Sequence, residues 1–425
     1  MRGRALGTLF TNIYHQGTIY QASAYAAPFL IELVQQEEVP DRDGILLLLA
    51  HLSTGNAYHR QHMQYYDEER KRDPEFQREL EQEVFWVDRT HQAVKDGIPV
   101  YLRLLAQQDM KIRMNAIRLL SSFQSEASQL LSVLLAHFQQ EQDQRVHACI
   151  LYGVSELTKR HVEQRSDAFQ LLERSLVDGE TDLVRLAAAM ALLRAGRPDV
   201  PHRAIDVLVE TIMHLDMVQD AYEELPWAES RLVFDAIRCL CSLPPSAHSL
   251  VVPQLIRVLE YLESEGEQTL KGYIAKDIAE VLLDFVFGDI RFGEQVPVED
   301  LTDEQRTVVT AIVHSDAVWK WEVGKGTSSQ QRPLRAQMGE EELFETVVTV
   351  TLYELLDYGL PENRADLRAF LGFEPQEKDA LRFLSKERNV DQIPPEKKKE
   401  ALAELVRLNP QHTLETLKLL IRDFT

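Results

Sequence analysis

Apolar residues recur along this chain at offsets i, i+4, i+7 and i+8, the spacing that lines one face of an α-helix. In "DMKIRMNAIRLL", beginning at Asp109, the set is Ile112, Ala116, Leu119 and Leu120. The same offsets pick out Val146, Ile150, Gly153 and Val154, and then Val184, Ala188, Ala191 and Leu192. Two more sets are Leu232, Ala236, Cys239 and Leu240, and Ile274, Ile278, Val281 and Leu282. Nearer the start, Leu6, Phe10, Ile13 and Tyr14 fit, as do Ile45, Leu49 and Leu52. Counted from the first residue of each set, the steps are 39, 67, 34, 38, 48 and 42 residues. Most lie near the roughly 40 to 47 residues of a helix-pair repeat, and the long step marks an insertion.

Second apolar helices are predicted between the sets, in "APFLIELV", "IPVYLRLLA", "ASQLLSVLLAHF", "AFQLLERSLV", "AIDVLVETIM" and "VVPQLIRVLEYL". A single pair carries too little core to stand alone, so each must bury its remaining apolar surface against its neighbours. Ala116, Ala188 and Ala236, at the centre of the first-helix stripe, let helices approach closely. Asp109 stands just ahead of its helix, placed to satisfy free N–H groups at the positive helix end. The pattern therefore predicts an all-α chain, an α-solenoid of helix pairs over 1–290.

Two of these stretches, "DMKIRMNAIRLL" and "DLVRLAAAMALLRAG", resemble the first helix of HEAT-type repeats, in which Asp, an apolar residue with Arg, and then Ala and Leu recur. Arg113 and Arg185 match that family's arginine, whereas His147, Val233 and Ala275 depart from it. "NIYHQGTIYQASAYAAPFLIELV" and "LTDEQRTVVTAIVHSDAVWKW" are similar to segments of bacterial HEAT-repeat proteins of the PBS-lyase HEAT-like type, a group largely without assigned biochemical function. The resemblance implies an α-solenoid that binds another macromolecule.

Residues 55–83, "GNAYHRQHMQYYDEERKRDPEFQRELEQE", account for the long step, and an insertion of this kind commonly lies on a binding face. Its His59, Tyr65 and Tyr66 are candidate partner-binding residues. His59 and His62 lack the intervening Glu of a helical metalloprotease pair, so an exposed interaction helix is preferred to a metal site. The second candidate surface is "DMVQDAYEELPWAE", where Tyr222 and Trp227 stand among Asp216, Asp220, Glu223 and Glu224. Rings surrounded by acid suit a basic partner, the rings supplying burial and the charges steering approach; the competing reading tucks the Trp back onto the fold. "YHQGTIYQAS" is expected to connect two helices, Gly17 making the turn and Thr18 or Ser23 capping.

Past residue 290 the repeat fades into an irregular helical extension over 291–373 and closing helices over 374–425. Thr302 and Gln305 form a capping-box pattern ahead of a helix ending at Trp319 and Trp321. "GKGTSSQQRP" does not have the spacing of a phosphate loop. Phe344, Val347, Val348, Thr351, Leu352 and Leu355 are expected to share one helical stripe, despite their β-branched neighbours.

Composition narrows the functional classes. The formal net charge is −22, which works against binding phosphate backbones. The acidity is local: residues 101–200 hold 12 Lys and Arg against 12 Asp and Glu, whereas 201–300 hold 7 against 19. Three cysteines, Cys149, Cys239 and Cys241, allow neither a disulfide framework nor a four-Cys zinc site, in keeping with a reducing, cytoplasmic setting. The first apolar patch is too short and broken for a signal peptide, and no run reaches the roughly 20 residues of a membrane span. No serine elbow or Cys–His signature occurs. The expectation is a non-catalytic scaffold or adaptor that binds a protein or basic peptide, without cofactor, metal, membrane or nucleic acid. The alternatives are a HEAT-like enzyme, such as a DNA glycosylase or lyase, and an immunity-type inhibitor of a basic enzyme.

Overall fold

The computed structural model describes residues 2–159, 165–195, 199–228, 231–264, 268–288, 296–322, 347–349, 355, 358–361 and 364–373. The closing helices expected over 374–425, and the stretch around Gly324, lie outside them. The chain divides into two compact units, Met1–Leu243 and Pro244–Thr425. The division falls inside the 1–290 span that the repeat pattern delimits. Helices form nearly all the regular structure, and none among the described residues is long and apolar enough to cross a membrane.

The first unit opens with α1 (Arg2–Ile13), a two-stranded ribbon of β1 (Tyr14–His15) and β2 (Thr18–Ile19), and α2 (Gln21–Gln35). The stretch "YHQGTIYQAS" connects two helices with Gly17 in the turn, as expected, and the connection takes the form of a tight hairpin. Gln16 and Gly17 both adopt positive φ, 48° and 86°, the pair of left-handed residues that a two-residue hairpin turn requires. Ser23 does cap α2, in a capping box with Tyr20, and its hydroxyl also donates to the Ile13 carbonyl.

Then come α3 (Arg42–Thr54), two short helices, α4 (Tyr58–Gln61) and α5 (Glu68–Arg72), and the long α6 (Pro74–Lys95). Helix α6 packs along α2 and α3. It starts where Asp73 accepts from the Glu75 N–H and Pro74 occupies the first turn, a position where proline's missing donor costs nothing. The second half of the 55–83 insertion is therefore packed structure. Phe76 is fully buried, and Leu80, Val84 and Val87 join Ile19 and Ala57 in a small apolar cluster.

From here the helices alternate as the pattern predicts: α7 (Ile98–Leu104), α8 (Met110–Leu120), α9 (Ala127–Phe138), α10 (Gln144–Thr158), α11 (Arg165–Asp178), α12 (Asp182–Arg194), α13 (His202–Met213), α14 (Gln219–Glu223) and α15 (Leu232–Cys241). Helices α3, α8, α10, α12 and α15 pack in that order, each against the next, while α7, α9, α11 and α13 pack against their own partners. Every residue of the four stripes on α8, α10, α12 and α15 is buried. Gly153 shows how close the approach is, since a Cβ there would stand 3.1 Å from Leu134 and 3.3 Å from Ile117.

Three of these helices share one set of terminal bonds. Asp109, Asp143 and Thr181, each three residues before its stripe begins, accept from the first-turn N–H groups of α8, α10 and α12. The residue just after the first stripe position turns back to the preceding connection. Arg113 donates to the carbonyls of Gln107 and Gln108, both at 2.8 Å, and Arg185 to that of Gly179 at 2.6 Å. His147, the departure from the family pattern, reaches the Phe138 carbonyl at 3.2 Å through Nε2.

In the second unit, α17 (Gln268–Phe287) packs against α16 (His248–Ser264), α18 (Asp303–His314) and α19 (Asp316–Trp319). Thr302 and Gln305 make the predicted reciprocal cap of α18. Arg364, on α20 (Arg364–Phe370), is buried; it donates to the Val313 carbonyl at 2.8 Å and the His314 carbonyl at 3.1 Å, and it pairs with Asp316 at 2.7 Å. Here the sequence reading is corrected. Val347–Thr349 is a strand, β4, paired antiparallel with β3 (Lys320–Glu322), so Val347 and Val348 do not lie on a helical stripe. The β-branched run prevailed over the helical spacing because a strand partner was available in Lys320–Glu322. Trp321 belongs to β3, whereas Trp319 is buried and donates its indole N–H to the Ile312 carbonyl at 2.8 Å.

A little-exposed ion pair of the first unit joins Arg113 to Glu141, at 2.8 Å. Burial alone would raise the Glu141 carboxyl; the N–H groups of Asp143 and Gln142 and the Arg113 guanidinium outweigh it and hold the carboxyl below its ordinary range. Its stabilising contribution is thus present above the ordinary carboxyl value and is lost as pH falls through the lower folded value. Arg113→Met leaves the Glu141 carboxylate with only its backbone N–H donors and His137 and is expected to cost roughly 1.5–3 kcal/mol at neutral pH, the usual worth of a hydrogen bond to a charged group. In urea titrations of the full chain from pH 7 to pH 3, the difference between variant and wild type narrows as Glu141 takes up its proton.

Candidate functional site

The acidic segment predicted to bind a partner leaves α13, forms a 3₁₀ turn over Leu215–Met217 and then α14, and returns to α15. It folds back onto earlier helices of the first unit. Arg118 of α8 donates to the Pro226 carbonyl, and Arg145 of α10 pairs with Glu224 at 2.6 Å. Trp227 lies parallel to the Tyr152 ring of α10, centroids 4.8 Å apart at 4°, and edge-on to Tyr222 at 5.3 Å. The Tyr222 hydroxyl donates to Asp235 at 2.7 Å; burial first, and then the Asp235 carboxylate, push that phenol far above its ordinary value.

Both rings are therefore core residues: Tyr222 is 0% and Trp227 2% exposed. They fasten the segment to the fold and present nothing to a partner, whereas Asp216, Asp220, Glu223 and Glu224 face outward. The reason is energetic. Two large rings have more apolar surface to bury than an acidic loop can shield, and the arginines of α8 and α10 supply partners for its carbonyl and carboxylate. Beneath the rings, Cys149 and Cys239 are buried, and desolvation raises both thiols. Arg194, its guanidinium over the Tyr152 ring, is the cation beside Cys239.

The insertion holds a different arrangement. His59 is fixed by Glu83, which accepts from Nδ1 at 2.7 Å and from the backbone N–H at 2.9 Å. Its ring lies near Tyr66, centroids 5.7 Å apart, and edge-on to Phe76 at 4.9 Å. His62 turns instead to the Tyr58 carbonyl and packs on the Tyr58 ring at 4.3 Å. The two histidines thus have separate partners, and among the described residues no group of three or more His, Cys, Asp or Glu is placed to hold a metal ion. Tyr66 is half-buried; its phenol is pushed up by desolvation and by Tyr58 and Glu83. Tyr65 projects outward, 76% exposed.

A third surface went unnoticed in the sequence. Tyr25, Phe29 and Leu33 follow one another at i, i+4 and i+8 along α2, opposite the stripe that buries Ala27, Leu30, Ile31 and Val34. Phe29 is 66% exposed. Beside them on α6, Trp86 approaches Tyr25 at 5.7 Å and Phe85 at 5.1 Å, and Arg89 lies over both α6 rings. The available signal was an apolar residue at nearly every position of "YAAPFLIELV", more than one buried face of a surface helix uses.

No protein-family model and no curated protein matches the chain. Among solved structures it is similar to the crystal structure of an engineered protein, at 15% identity over 95% of this chain and 93% of that one, with a TM-score of 0.30. A likeness of that size carries no argument about either chain.

Burial separates the roles of the acidic segment's residues. Trp227→Ala is expected to destabilise the first unit by roughly 3–5 kcal/mol, the usual loss for a fully packed large ring. Glu223→Gln, on the exposed side, should stay within about 0.5 kcal/mol of wild type. Urea midpoints of the two variants check this, and equal midpoints would mean that Trp227 is not packed.

Proposed function

We propose that the chain is a non-catalytic protein-binding scaffold, built as a HEAT-type α-solenoid. Three features support the architecture: the ordered contact of α3, α8, α10, α12 and α15, the second helices packed on their partners, and the repeated terminal bonds of Asp109, Asp143 and Thr181 with Arg113, His147 and Arg185. Helix pairs joined this way grow by adding neighbours and leave a long surface for contact with a partner.

The observation that carries the binding reading is where apolar surface remains in water. Ten large apolar side chains are exposed among the described residues, and eight of them, Leu9, Tyr20, Tyr25, Phe29, Leu33, Tyr58, Tyr65 and Phe85, fall within residues 1–95. Scattered exposure needs no explanation, but aromatic residues concentrated in one region of a chain mark an interaction surface. Residues 1–95 hold 10 Lys and Arg against 14 Asp and Glu, a balance that favours a protein over a nucleic acid on that surface. The binding region thus moves from the acidic segment to the N-terminal helices and the insertion.

Replacing Phe29 or Tyr65, one at a time, by a photo-crosslinking phenylalanine in the full chain tests this reading in the cells that make the protein. Discrete protein adducts at these positions, and none at exposed Val177, are the expected outcome. A folded chain that gives no adduct at either N-terminal position would overturn the reading.

A further inference from the structure

Resting on that reading, we infer that the paired α2 and α6 helices form a docking face for a basic amphipathic helix of a partner protein. Successive ridge residues four apart rise about 6 Å along a helix, so Tyr25, Phe29 and Leu33 make a row of roughly 12 Å. That row matches the anchors an amphipathic helix presents at i, i+3 or i+4, and i+7. Tyr25 and Trp86 join the row to the Phe85 ridge of α6, giving one continuous aromatic surface across two helices. Both supporting helices are anchored from beneath, α2 by Leu30, Ile31 and Val34 and α6 by Phe76, Val87 and Val94, so the rings stand on packed elements rather than on loops.

Charge selects the occupant. Glu32 lies one turn from Phe29 on α2; Glu81 and Asp88 flank Phe85 in the same way on α6. All three are exposed. Arg103 of α7 borders the end of the row, donating to the Gln35 amide oxygen at 3.0 Å, and Arg89 rests over the rings of Phe85 and Trp86, showing how an arriving guanidinium or ammonium would settle there. A second copy of this chain would bring the same carboxylates against themselves. A basic helix meets rings with its apolar stripe and carboxylates with its flanks, and it approaches a chain of net charge −22 with favourable steering.

The probe is a fluorescent peptide of about 18 residues, five turns of helix, with leucines on one face and lysines and arginines elsewhere; its control has the same composition in scrambled order. Anisotropy titrations of the full chain are made at low and high salt. Phe29→Ser with Phe85→Ser should weaken binding at least about ten-fold, the loss expected when central aromatic anchors are removed. Glu32→Lys with Glu81→Lys, which leaves every ring in place, should weaken it about as much and flatten its salt dependence. Asp216→Asn with Asp220→Asn, which removes two charges at a distance from the face, should weaken binding by less than about two-fold at high salt, where distant charges are screened. Binding unaffected by the Phe29/Phe85 variant, or equal binding of the scrambled peptide, would overturn the inference. So would a concentration-dependent dimer of wild type that this variant abolishes, since the face would then serve a second copy. Failure here, with crosslinked adducts still formed at Tyr65, removes the docking face and leaves the scaffold reading standing; loss of all adducts removes the scaffold reading itself.

Discussion

Helix α12 has almost no polar surface to offer water. From Leu183 to Leu193 every residue except Arg185 is buried, and a helix apolar around its whole circumference must be enclosed on every side. Helices α10, α11, α13 and α15 enclose it. Much of the first unit follows from that requirement. Each neighbour that covers α12 has a further apolar face of its own, which the next helix must cover, and the small residues Gly153, Ala188 and Ala236 set how closely they come together. Polar groups are spent at helix ends, where the caps and the back-reaching Arg113, His147 and Arg185 satisfy backbone groups that packing leaves open.

The same logic explains the acidic segment. A loop between two stacked helices normally stays in water, but this one carries Tyr222 and Trp227 and cannot leave them there. It folds back so that Trp227 lies on Tyr152 and Tyr222 reaches Asp235. Arg118 and Arg145, more than seventy residues away in sequence, hold its backbone and Glu224. Its carboxylates remain outside and contribute to the chain's long-range field, and its rings act inside.

How much of this was legible depends on the kind of signal. Helical periodicity located the stripes of α8, α10, α12 and α15 residue by residue, because burial of one face is imposed by spacing alone. The caps at Asp109 and Thr302 were equally plain, being local chemistry. The hairpin at Gln16 and Gly17 was missed because only two residues make each strand, too few for a period. The β3–β4 pair was missed because a strand depends on a partner distant in sequence, and the helical spacing of Val347 and Val348 was an accident of composition. Of the candidate site, Tyr65 was found as an exposed ring on the insertion. Tyr222 and Trp227 follow the competing reading, the Trp tucked back onto the fold, and the spacing left both readings open because a sequence does not say whether an aromatic loop closes inward. Phe29 and Phe85 were overlooked because a second apolar stripe on a helix looks like more of the core.

Among the described residues, exposed rings stand on α2, α6 and the insertion, and Tyr222 and Trp227 are buried under the acidic segment. Hydroxyl-radical footprinting of the intact chain reads that distribution directly, since oxidation of a ring follows its exposure. Tyr25, Phe29, Tyr65 and Phe85 should be modified fast, and Tyr222 and Trp227 should be protected until the first unit unfolds. Modification of Trp227 at the rate of Tyr65 in the folded chain would contradict the account, because it would return the binding rings to the acidic segment.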